Sequence, residues 1–412
     1  MIHMRHVFEE KEREILSGIT YLIGDAGMVE RSVEAGARQP FDEEICELLD
    51  DVSARLMKDV ESRAYPEVVT LAFWLRRASL MQKRSEYEQT HTEAYRTGRG
   101  LSFHIAPSNV PVNFAYSLAA GLLSGNSNIV RVPSREFDQV SLIVRALDDA
   151  LTEHEELRPF IILVRYGHEQ AVNDLLSSVC DTRIIWGGDE TIEELRRSPL
   201  RPRGTEITFA DRYSLAVIDA DEYLEQSEDA QEIARRFYND TYLTDQNACT
   251  SPRVIVWTGK RVDEAKELFW NTLHGLVRDK YHFQDIQGVN KYTSAMLIAA
   301  DMDGVRVLTG PDNLVMRVYV PRINSELMRY MDNSGFFIET ECNDPMELKE
   351  LCDDMRCQTI AMLGDRKWLE PLIRSGVCGI DRVTEIGHTM DFDLIWDGYD
   401  LMGQLTRVIC GI

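Results

Sequence analysis

Apolar residues follow two different spacings along this chain. Between residues 8 and about 90 they return every three to four positions, as in DEEICELLDDVSARLMKDV, which predicts a helical segment. From Gly100 onward, short apolar runs bounded by Gly, Pro, Asn or Asp alternate with amphipathic stretches. Buried strands separated by helices are typical of a mostly parallel sheet covered on both faces. The pattern therefore predicts an α/β fold.

The alternation occurs twice. The predicted strands of the first part are LSFHIAP, SNIVRVP, FIILVRYG, TRIIWGG, EITFAD and SLAVIDA. After about residue 221 the pattern resumes with helix DAQEIARRFYND, strand RVIVWTG and helix DEAKELFWNTLHGLVRDKY, followed by VRVLTG, NLVMRVYVP, GFFIETEC, CQTIAML and CGIDRV. Two α/β units that meet near residues 210–245 are expected.

Composition narrows the classes of function. The 412 residues include 45 basic and 69 acidic side chains, a net charge of −24, which disfavours nucleic acid and anionic membranes as partners. No apolar run reaches the roughly 18–20 residues that span a bilayer. The start MIHMRHVFEEKEREIL predicts a charged helix rather than a signal peptide, so we expect a cytoplasmic protein.

The eight cysteines show no CxxC pair and no cluster at metal-ligand spacing, so neither a disulfide framework nor a metal site is predicted. Cys249, in YLTDQNACTSPRVIVW, precedes a predicted buried strand. A nucleophilic role requires a thiolate, an oxyanion donor and an electron acceptor, and the local residues supply only the first. The alternative is a small apolar core residue.

The segment FHIAPSNVPVNFAYSLAAGLLSGNSNIVRVPS predicts a strand, a polar turn and a helix, with Pro111 at the helix start and Gly125 at its end. Ligands of open parallel sheets bind at the carboxyl ends of strands, so the turn Ala106–Asn109 is a candidate site. The alternative is that Asn109 only closes a turn.

Two further turns can approach a cofactor through glycine backbone. Gly187 and Gly188 lie between a strand and a helix in IIWGGDETIEEL, without a GxGxxG pattern and next to two acidic residues; Gly167 is a weaker candidate. His104, within an apolar strand, and His388, in a turn, are interpreted as structural histidines.

Five motifs in order resemble the aldehyde dehydrogenase superfamily, and within it the LuxC-type acyl-CoA reductases, the fatty-acid reductase component of bacterial luminescence systems. They are HIAPSNVPVNFAYSLAAGLLSGNSNIVR, RIIWGGDETI, FADRYSLAVID, DQNACTSPRV and MDFDLIWDGYDLMGQLTR, and they extend from about Arg99 to Arg407. The resemblance implies two Rossmann-like parallel-sheet domains and a small oligomerisation flap.

The resemblance also implies roles for individual residues. Pro107, Ser108 and Asn109 match a Pro-aromatic-Asn-x-Pro turn whose asparagine donates to the carbonyl oxygen under attack. Cys249 matches the nucleophile, with its own N–H as the second oxyanion donor. The implied cofactor is NADPH, with NADH as the alternative, and its binding positions are Ala106, Pro107, Ser108, Arg131, Gly167, Gly187, Gly188, Thr208 and Phe209. Arg131 and Arg135 can meet a 2′-phosphate.

Departures from the superfamily pattern indicate the direction of the reaction. Aldehyde-oxidising members carry a Glu-Leu-Gly-Gly segment whose glutamate activates water, whereas this chain has ITFADRYS with Thr208 near that position. A thioester without a positioned base hydrolyses slowly, which favours acyl reduction over aldehyde oxidation. The carboxylate that holds the nicotinamide ribose has no clear match before GFFIETEC.

The resemblance further implies domain bounds and partners. Residues 1–220, with the return of about 385–400, form the cofactor domain; 221–384 form the catalytic domain; about 85–100 and 400–412 form the flap. The expected substrate is acyl-CoA or acyl-adenylate, with a homodimer or homotetramer and an acyl-protein synthetase as partners. Alternatives are a CoA-acylating dehydrogenase of a short aldehyde, a non-redox acyltransferase or thioesterase, and a catalytically silent subunit.

Overall fold

The structure is a computed structural model that describes residues 6–91, 95–310 and 312–411. The chain forms two compact units, one from Met1–Ala210 with Tyr399–Ile412 and the other from Asp211–Gly398. Each unit is described separately below, and both contain a sheet of mainly parallel strands.

The first part of the chain is mainly helical, and helices and strands alternate through most of the remaining chain. In chain order they are α1 Glu10–Ser17, α2 Ala26–Glu34, α3 Glu43–Lys58, α4 Pro66–Leu75, α5 Arg77–Thr90, α6 Asn113–Leu123, α7 Asp138–Leu151, α8 Gln170–Val179, α9 Asp189–Leu195, α10 Ala220–Glu225, α11 Ala230–Thr241, α12 Val262–Lys280, α13 Asp285–Asp301, α14 Lys349–Cys352, α15 Glu370–Arg374 and α16 Leu401–Leu405.

The strands are short, between two and seven residues long. In chain order they are β1 Thr20–Ile23, β2 Tyr95–Gly98, β3 Leu101–Ile105, β4 Ser127–Arg131, β5 Ile161–Arg165, β6 Thr182–Trp186, β7 Thr205–Phe209, β8 Tyr213–Asp219, β9 Pro252–Thr258, β10 Arg306–Thr309, β11 Met316–Tyr319, β12 Phe336–Glu341, β13 Cys357–Leu363, β14 Arg382–Glu385, β15 Ile395–Trp396, β16 Tyr399–Asp400 and β17 Thr406–Ile409.

The sheet of the first unit has the strand order β1-β5-β4-β3-β6-β7, and every pairing except that of the edge strand β1 is parallel. From β3 the chain continues to β4 and β5 on one side of β3, whereas β6 lies on the other side of β3. The strand order therefore reverses between β3 and β6. In doubly wound sheets, ligands bind outside the carboxyl ends of the strands at such a switch point.

The sheet of the second unit has the order β10-β11-β12-β9-β8-β13-β14, and only the β10–β11 pairing within it is antiparallel. Alternate residues of its central strands enter two different cores: Val254 and Val256 face one, Ile255 and Trp257 the other. Both faces are thus covered, as the continuous apolar run RVIVWTG predicts.

The unit boundaries differ from the predicted ones. The structure places the first boundary at Ala210 rather than at residue 220, because β8 pairs with β9 and β13 of the second sheet. At the other end, the chain leaves the second unit at Gly398, so most of the segment 385–400 belongs to that unit and the segment from Tyr399 onward returns to the first.

β1 and α13 are among the elements that the sequence pattern missed. β1 lies inside the region predicted to be helical, because its four residues are too short to show an alternation. α13 was not predicted, because its buried and exposed residues do not follow the usual separation of apolar and polar side chains. Lys291 is fully buried in it, whereas Ile286, Val289, Met296 and Leu297 are exposed, so the apolar stripe faces outward.

The segments predicted to form the flap contain the end of α5 and a two-stranded antiparallel sheet of β2 and β17, with Gly98 opposite Thr406 and Tyr95 opposite Ile409. Residues 92–94 and 412 of the predicted flap segments lie outside the described residues. Within the described ranges, no helix is both long enough and apolar enough to cross a membrane, and no group of acidic, histidine or cysteine side chains could hold a metal ion.

Candidate active site

The Asn109 turn begins where β3 ends. The Ala106 N–H donates to the carbonyl oxygen of Arg131 at 3.0 Å, which aligns the start of the turn with the neighbouring strand. Pro107 is partly buried, whereas Ser108 and Asn109 are exposed. α6 begins at Asn113, two positions beyond the predicted start at Pro111. The Asn109 amide is therefore presented to solvent between a buried strand and a buried helix.

A chain of buried hydrogen bonds connects the strands and the helix that flank this turn. Trp186 Nε1 donates to Ser117 Oγ at 3.0 Å, Ser117 Oγ lies 2.7 Å from His104 Nδ1, and His104 Nε2 lies 3.0 Å from Asn128 Oδ1. The chain links β6, α6, β3 and β4, which carry the switch point. Burial lowers the pKa of His104 to about 4, so the imidazole is neutral, in agreement with its predicted structural role.

His104 makes the stability of the fold depend on pH in a predictable direction. Its pKa is lower in the folded chain than the ordinary value of 6.5, so the unfolded chain takes up the proton first as the pH falls. The contribution is fully present above pH 6.5 and is lost towards pH 4. Between pH 7 and pH 4.5 we expect His104 to cost about 2–3 kcal/mol of the free energy of unfolding.

The measurement is urea unfolding of the natural chain and of His104→Gln across that pH range. The difference between the two removes the opposite contributions of Asp240 and Asp397, whose pKa values are raised to about 6 by burial. Replacing the exposed His282 serves as the control. A difference that stays constant from pH 7 to pH 4.5 would contradict the assignment.

The glycine turns lie at the carboxyl ends of the same sheet. Gly187 and Gly188 follow β6, and α9 begins directly after them with Asp189 and Glu190 in its first turn. A Cβ on Gly187 would lie 3.2 Å from a methyl carbon of Thr191, which is tighter than most real contacts. Gly167 follows β5 in the same way.

Arg131 binds the backbone of the neighbouring strand end. Its guanidinium donates to the carbonyl oxygens of Tyr166, at 3.3 Å, and Gly167, at 2.6 Å, and stacks over the Tyr166 ring. It therefore fixes the Gly167 turn against the end of β4. Arg135 is exposed, with its guanidinium 5.1 Å from the Phe137 ring centroid.

Thr208 and Phe209 end β7 beside β6. The Phe209 ring stacks on Trp186, with centroids 3.6 Å apart and planes at 14°. Thr208 is partly buried and carries no carboxylate, and the acidic residue of the same strand, Glu206, is bound to Arg183 and to Arg196. Glu206 is thus held by two cations and is unsuited to activating water.

The Cys249 loop lies in the second unit, between α11 and β9. It contains two consecutive non-glycine residues with positive φ, Asp245 at 50° and Gln246 at 60°, a conformation that costs about 1–3 kcal/mol per residue. Gln246 is fully buried and compensates this strain, because its amide donates to the carbonyls of Pro252 and Phe336 and accepts from two backbone N–H groups.

Cys249 itself is half-buried, and its carbonyl accepts from Ser214 Oγ at 2.8 Å. Burial, and next the negative charge of Asp397, raise the pKa of its thiol to about 12. The Gln358 amide and the backbone N–H groups of Cys249 and Thr250 act on the sulfur in the opposite direction. The resting group is therefore a thiol, surrounded by donors suited to a thiolate.

Sequence reasoning missed Gln358 and Asp397. Gln358 is buried in β13, donates from Nε2 to Asp397 Oδ1 and also interacts with the Cys249 thiol. Asp397 belongs to the quoted tail motif MDFDLIWDGYDLMGQLTR, but nothing in that stretch indicates which of its acidic residues is buried. Gln358 and Asp397 are far apart in the sequence and come together only in the fold.

A family model described as acyl-CoA reductase (LuxC) matches residues 51–408 of this chain. Among curated proteins, the long-chain acyl-protein thioester reductase of Aliivibrio fischeri is 23% identical over 299 residues, which cover 70% of this chain and 58% of that protein. The protein of the same description from Vibrio harveyi is 24% identical over 221 residues, covering 52% and 44%. The chain thus spans about half the length of the curated relatives it matches.

Solved structures show the fold. Aldehyde dehydrogenase 21 of Physcomitrella patens superimposes with a TM-score of 0.65 at 11% identity, covering 93% of this chain and 89% of that one. A 1-pyrroline-5-carboxylate dehydrogenase from Thermus with bound NAD gives a TM-score of 0.63 at 12% identity, covering 98% and 85%. The predicted aldehyde-dehydrogenase-like α/β fold is confirmed.

Proposed function

The chain belongs to the acyl-CoA reductase (LuxC) family, and on this premise we propose that it reduces an activated fatty acyl group to an aldehyde through a thioester on Cys249. The residues at the end of β7 support reduction as the direction of the reaction. Thr208 stands there without a carboxylate, and Glu206 is held by Arg183 and Arg196. In the superfamily that the sequence resembles, this position carries the water-activating glutamate, and its absence here favours acyl reduction over aldehyde oxidation.

In the proposed mechanism, the Cys249 sulfur attacks the acyl carbon and the leaving group departs, which leaves the acyl group on the enzyme. We assign the oxyanion to the Asn109 amide and the Cys249 N–H, each lowering the barrier by about 3 kcal/mol. The nicotinamide cofactor, when bound, supplies hydride to the acyl carbon. Cys249 then leaves as the thiohemiacetal collapses to the aldehyde.

The first unit fits a dinucleotide, since the reversal of strand order between β3 and β6 brings the Ala106–Asn109 turn beside the Gly187–Gly188 turn. We propose that Ala106, Pro107, Ser108, Gly167, Gly187, Gly188, Thr208 and Phe209 line this cofactor site. Asp189 and Glu190 disfavour a pyrophosphate at the start of α9, so the pyrophosphate of a bound cofactor would contact other groups of the site.

The proposed cofactor is NADPH. Arg135 is exposed near the end of β4 and can meet a 2′-phosphate, whereas Arg131 is engaged by two backbone carbonyls and contributes by fixing the Gly167 turn. NADH is the alternative, and the relative activity with the two cofactors decides between them.

The proposed acyl donor is a thioester or an acyl-adenylate. Curated relatives are described as acyl-protein thioester reductases, which supports a donor carried on CoA or on a protein such as an acyl-protein synthetase. We also propose that the chain forms a homodimer or homotetramer through the β2–β17 sheet, which leaves Tyr95 and Val408 exposed.

The experiment that tests the function is a panel of acyl-CoA thioesters of increasing chain length, assayed with NADPH and with NADH. We expect aldehyde formation coupled to cofactor oxidation, with the highest kcat/KM for a long acyl chain. Release of free acid without cofactor would instead indicate a thioesterase. Activity confined to short chains would indicate a CoA-acylating dehydrogenase, and failure of Cys249 to take up acyl groups would indicate a catalytically silent subunit.

A further inference from the structure

Lys291 is a buried cation that the mechanism above does not use. Its side chain lies in α13 without exposed surface, and its ammonium group donates to the backbone carbonyl oxygens of Asn313, at 2.5 Å, and Ser334, at 2.8 Å. Burial lowers the pKa of Lys291 to about 8, so the group is still mainly charged at neutral pH. A buried ammonium group is costly unless it is hydrogen-bonded, so these two backbone contacts hold it in place.

Both acceptors lie in strained turns, and so does the start of the Cys249 loop. Asn313 and Ser334 have positive φ, 57° and 60°, as do Asp245 and Gln246, at 50° and 60°. In the described part of the chain, seven residues other than glycine have positive φ, and these are four of them. Such conformations persist where the surrounding contacts fix them, and they concentrate at functional sites.

Hydrogen bonds join the strained turns to one another. The Ser334 N–H donates to the carbonyl oxygen of Asp245 at 3.0 Å. The N–H groups of Gly335 and Phe336 donate to Gln246 Oε1 at 3.0 and 3.2 Å. The segment that the ammonium group holds is therefore bonded directly to the two strained residues of the loop.

Gln246 extends this restraint to the cysteine. Its Nε2 donates to the carbonyl oxygen of Pro252 at 2.9 Å, so one side chain ties the end of the loop to its beginning. Between these two points, the carbonyl oxygen of Cys249 accepts from Ser214 Oγ at 2.8 Å. The position of the thiol is thus set by the contacts that hold the loop at its start.

A second route leads from α13 to the same loop. The Tyr281 hydroxyl donates to Asp245 Oδ1 at 2.7 Å and accepts from Nε2 of Gln287, which also belongs to α13, at 3.2 Å. Asn333 Nδ2 donates to Asn247 Oδ1 at 2.8 Å. The helix therefore supports the start of the loop both through its buried ammonium group and through a tyrosine hydroxyl.

We propose that Lys291 is a positioning residue for Cys249. By holding the Ser334 turn, it keeps the loop in the arrangement in which the sulfur can attack the acyl carbon. This inference rests on the proposed function. Lys291 acts here through the backbone of Ser334 and Asp245 rather than on the acyl group itself. Such placement matters because a displacement of about 1 Å can lower a rate by about 100-fold.

The test is Lys291→Met, which keeps a long unbranched side chain and removes both donated hydrogen bonds. Single-turnover acylation by radiolabelled decanoyl-CoA, without cofactor, yields two separate quantities. The amplitude counts the molecules that can react, whereas the rate constant at saturating decanoyl-CoA reports how well the thiol is placed. We expect the rate constant to fall about 10- to 100-fold, with the amplitude and the half-saturating concentration unchanged within about twofold.

Ile298→Val is the matched control. Ile298 is fully buried in the same helix, and its side chain takes no part in these hydrogen bonds, so the variant weakens the packing of α13 alone. Its rate constant should equal that of the natural chain. Tyr281→Phe keeps the inference testable if Lys291→Met does not fold, because it removes one hydroxyl group that restrains Asp245. It should lower the rate constant about 3- to 10-fold at full amplitude.

Alkylation of Cys249 by iodoacetamide at one fixed pH gives a readout that needs no substrate. It is followed by mass spectrometry of the Cys249 peptide, because Cys378 and Cys410 are exposed as well. A loop with fewer restraints opens more often, so the half-buried thiol should be alkylated faster in Lys291→Met and in Tyr281→Phe than in the natural chain.

Three outcomes would overturn the inference. The first is a Lys291→Met variant that loses amplitude but keeps its rate constant, since this result describes partial unfolding. The second is an equal loss of rate constant in Ile298→Val. The third is an unchanged rate constant in Tyr281→Phe. If the natural chain takes up no decanoyl group, the proposed function fails instead, and an unchanged alkylation rate in Lys291→Met and Tyr281→Phe would then overturn the positioning role.

Discussion

Replacing Cys249 with alanine is expected to abolish aldehyde formation, with kcat lowered by at least about 10⁴-fold. In the proposed mechanism the sulfur makes the bond that carries the acyl group. The neighbouring Thr250 hydroxyl is not placed to replace it, because its Oγ1 is directed to the Met390 sulfur at 3.1 Å. The variant should also retain no radiolabelled acyl group after gel filtration, and both measurements use the same acyl-CoA and NADPH.

Cys378 provides the matched control, because it is an exposed cysteine of the same unit. Cys378→Ala should keep both labelling and turnover within about twofold, as expected for a surface substitution. If Cys249→Ala still retained the acyl group while Cys378→Ala lost it, the nucleophile would be the other cysteine. Thermal unfolding of both variants excludes loss of the fold as the cause.

The first unit was predictable from the sequence because its strands are continuous apolar runs. LSFHIAP, SNIVRVP, FIILVRYG and TRIIWGG became β3, β4, β5 and β6, and the Asn109 and Gly187 turns follow directly from their ends. Local patterns carry this information because burial on both faces of a parallel sheet leaves only the ends of the strands polar. The candidate site turns are those polar ends.

α13 and the role of Gln358 could not be predicted, because their burial contradicts the local sequence pattern. α13 buries Lys291, whose ammonium group donates to the carbonyls of Asn313 and Ser334, and exposes its apolar stripe. Gln358 lies near the start of the mainly apolar strand β13, where a polar residue is easily interpreted as a solvent-exposed strand end. Its meaning depends on Asp397, which is distant in the sequence and adjacent only in space.

The thiol of Cys249 illustrates why a motif alone does not define reactivity. Matching the motif DQNACTSPRV suggests an activated nucleophile, yet burial and Asp397 raise the thiol pKa, so the resting group is protonated. A protonated thiol is protected from alkylation and oxidation in the absence of substrate.

Asn109→Ala is expected to lower kcat by about 100- to 1,000-fold and to change KM little. The amide would donate to the oxygen only when negative charge develops on it, and an interaction made in the transition state affects kcat more than KM. Asn109 is exposed in a turn whose backbone is aligned by the Ala106 N–H, so removing its side chain should leave the fold intact. Steady-state kinetics with a long-chain acyl-CoA and NADPH provide the measurement.

The control for this variant is Asn271→Ala, which removes an exposed asparagine from α12 and should leave kcat unchanged. Acyl labelling separates the two steps that use the oxyanion donor, because the first forms the thioester and the second reduces it. Loss of labelling rate together with turnover would place Asn109 at both. An unchanged kcat in Asn109→Ala would remove it from the oxyanion site, and the Cys249 N–H would then need a different partner.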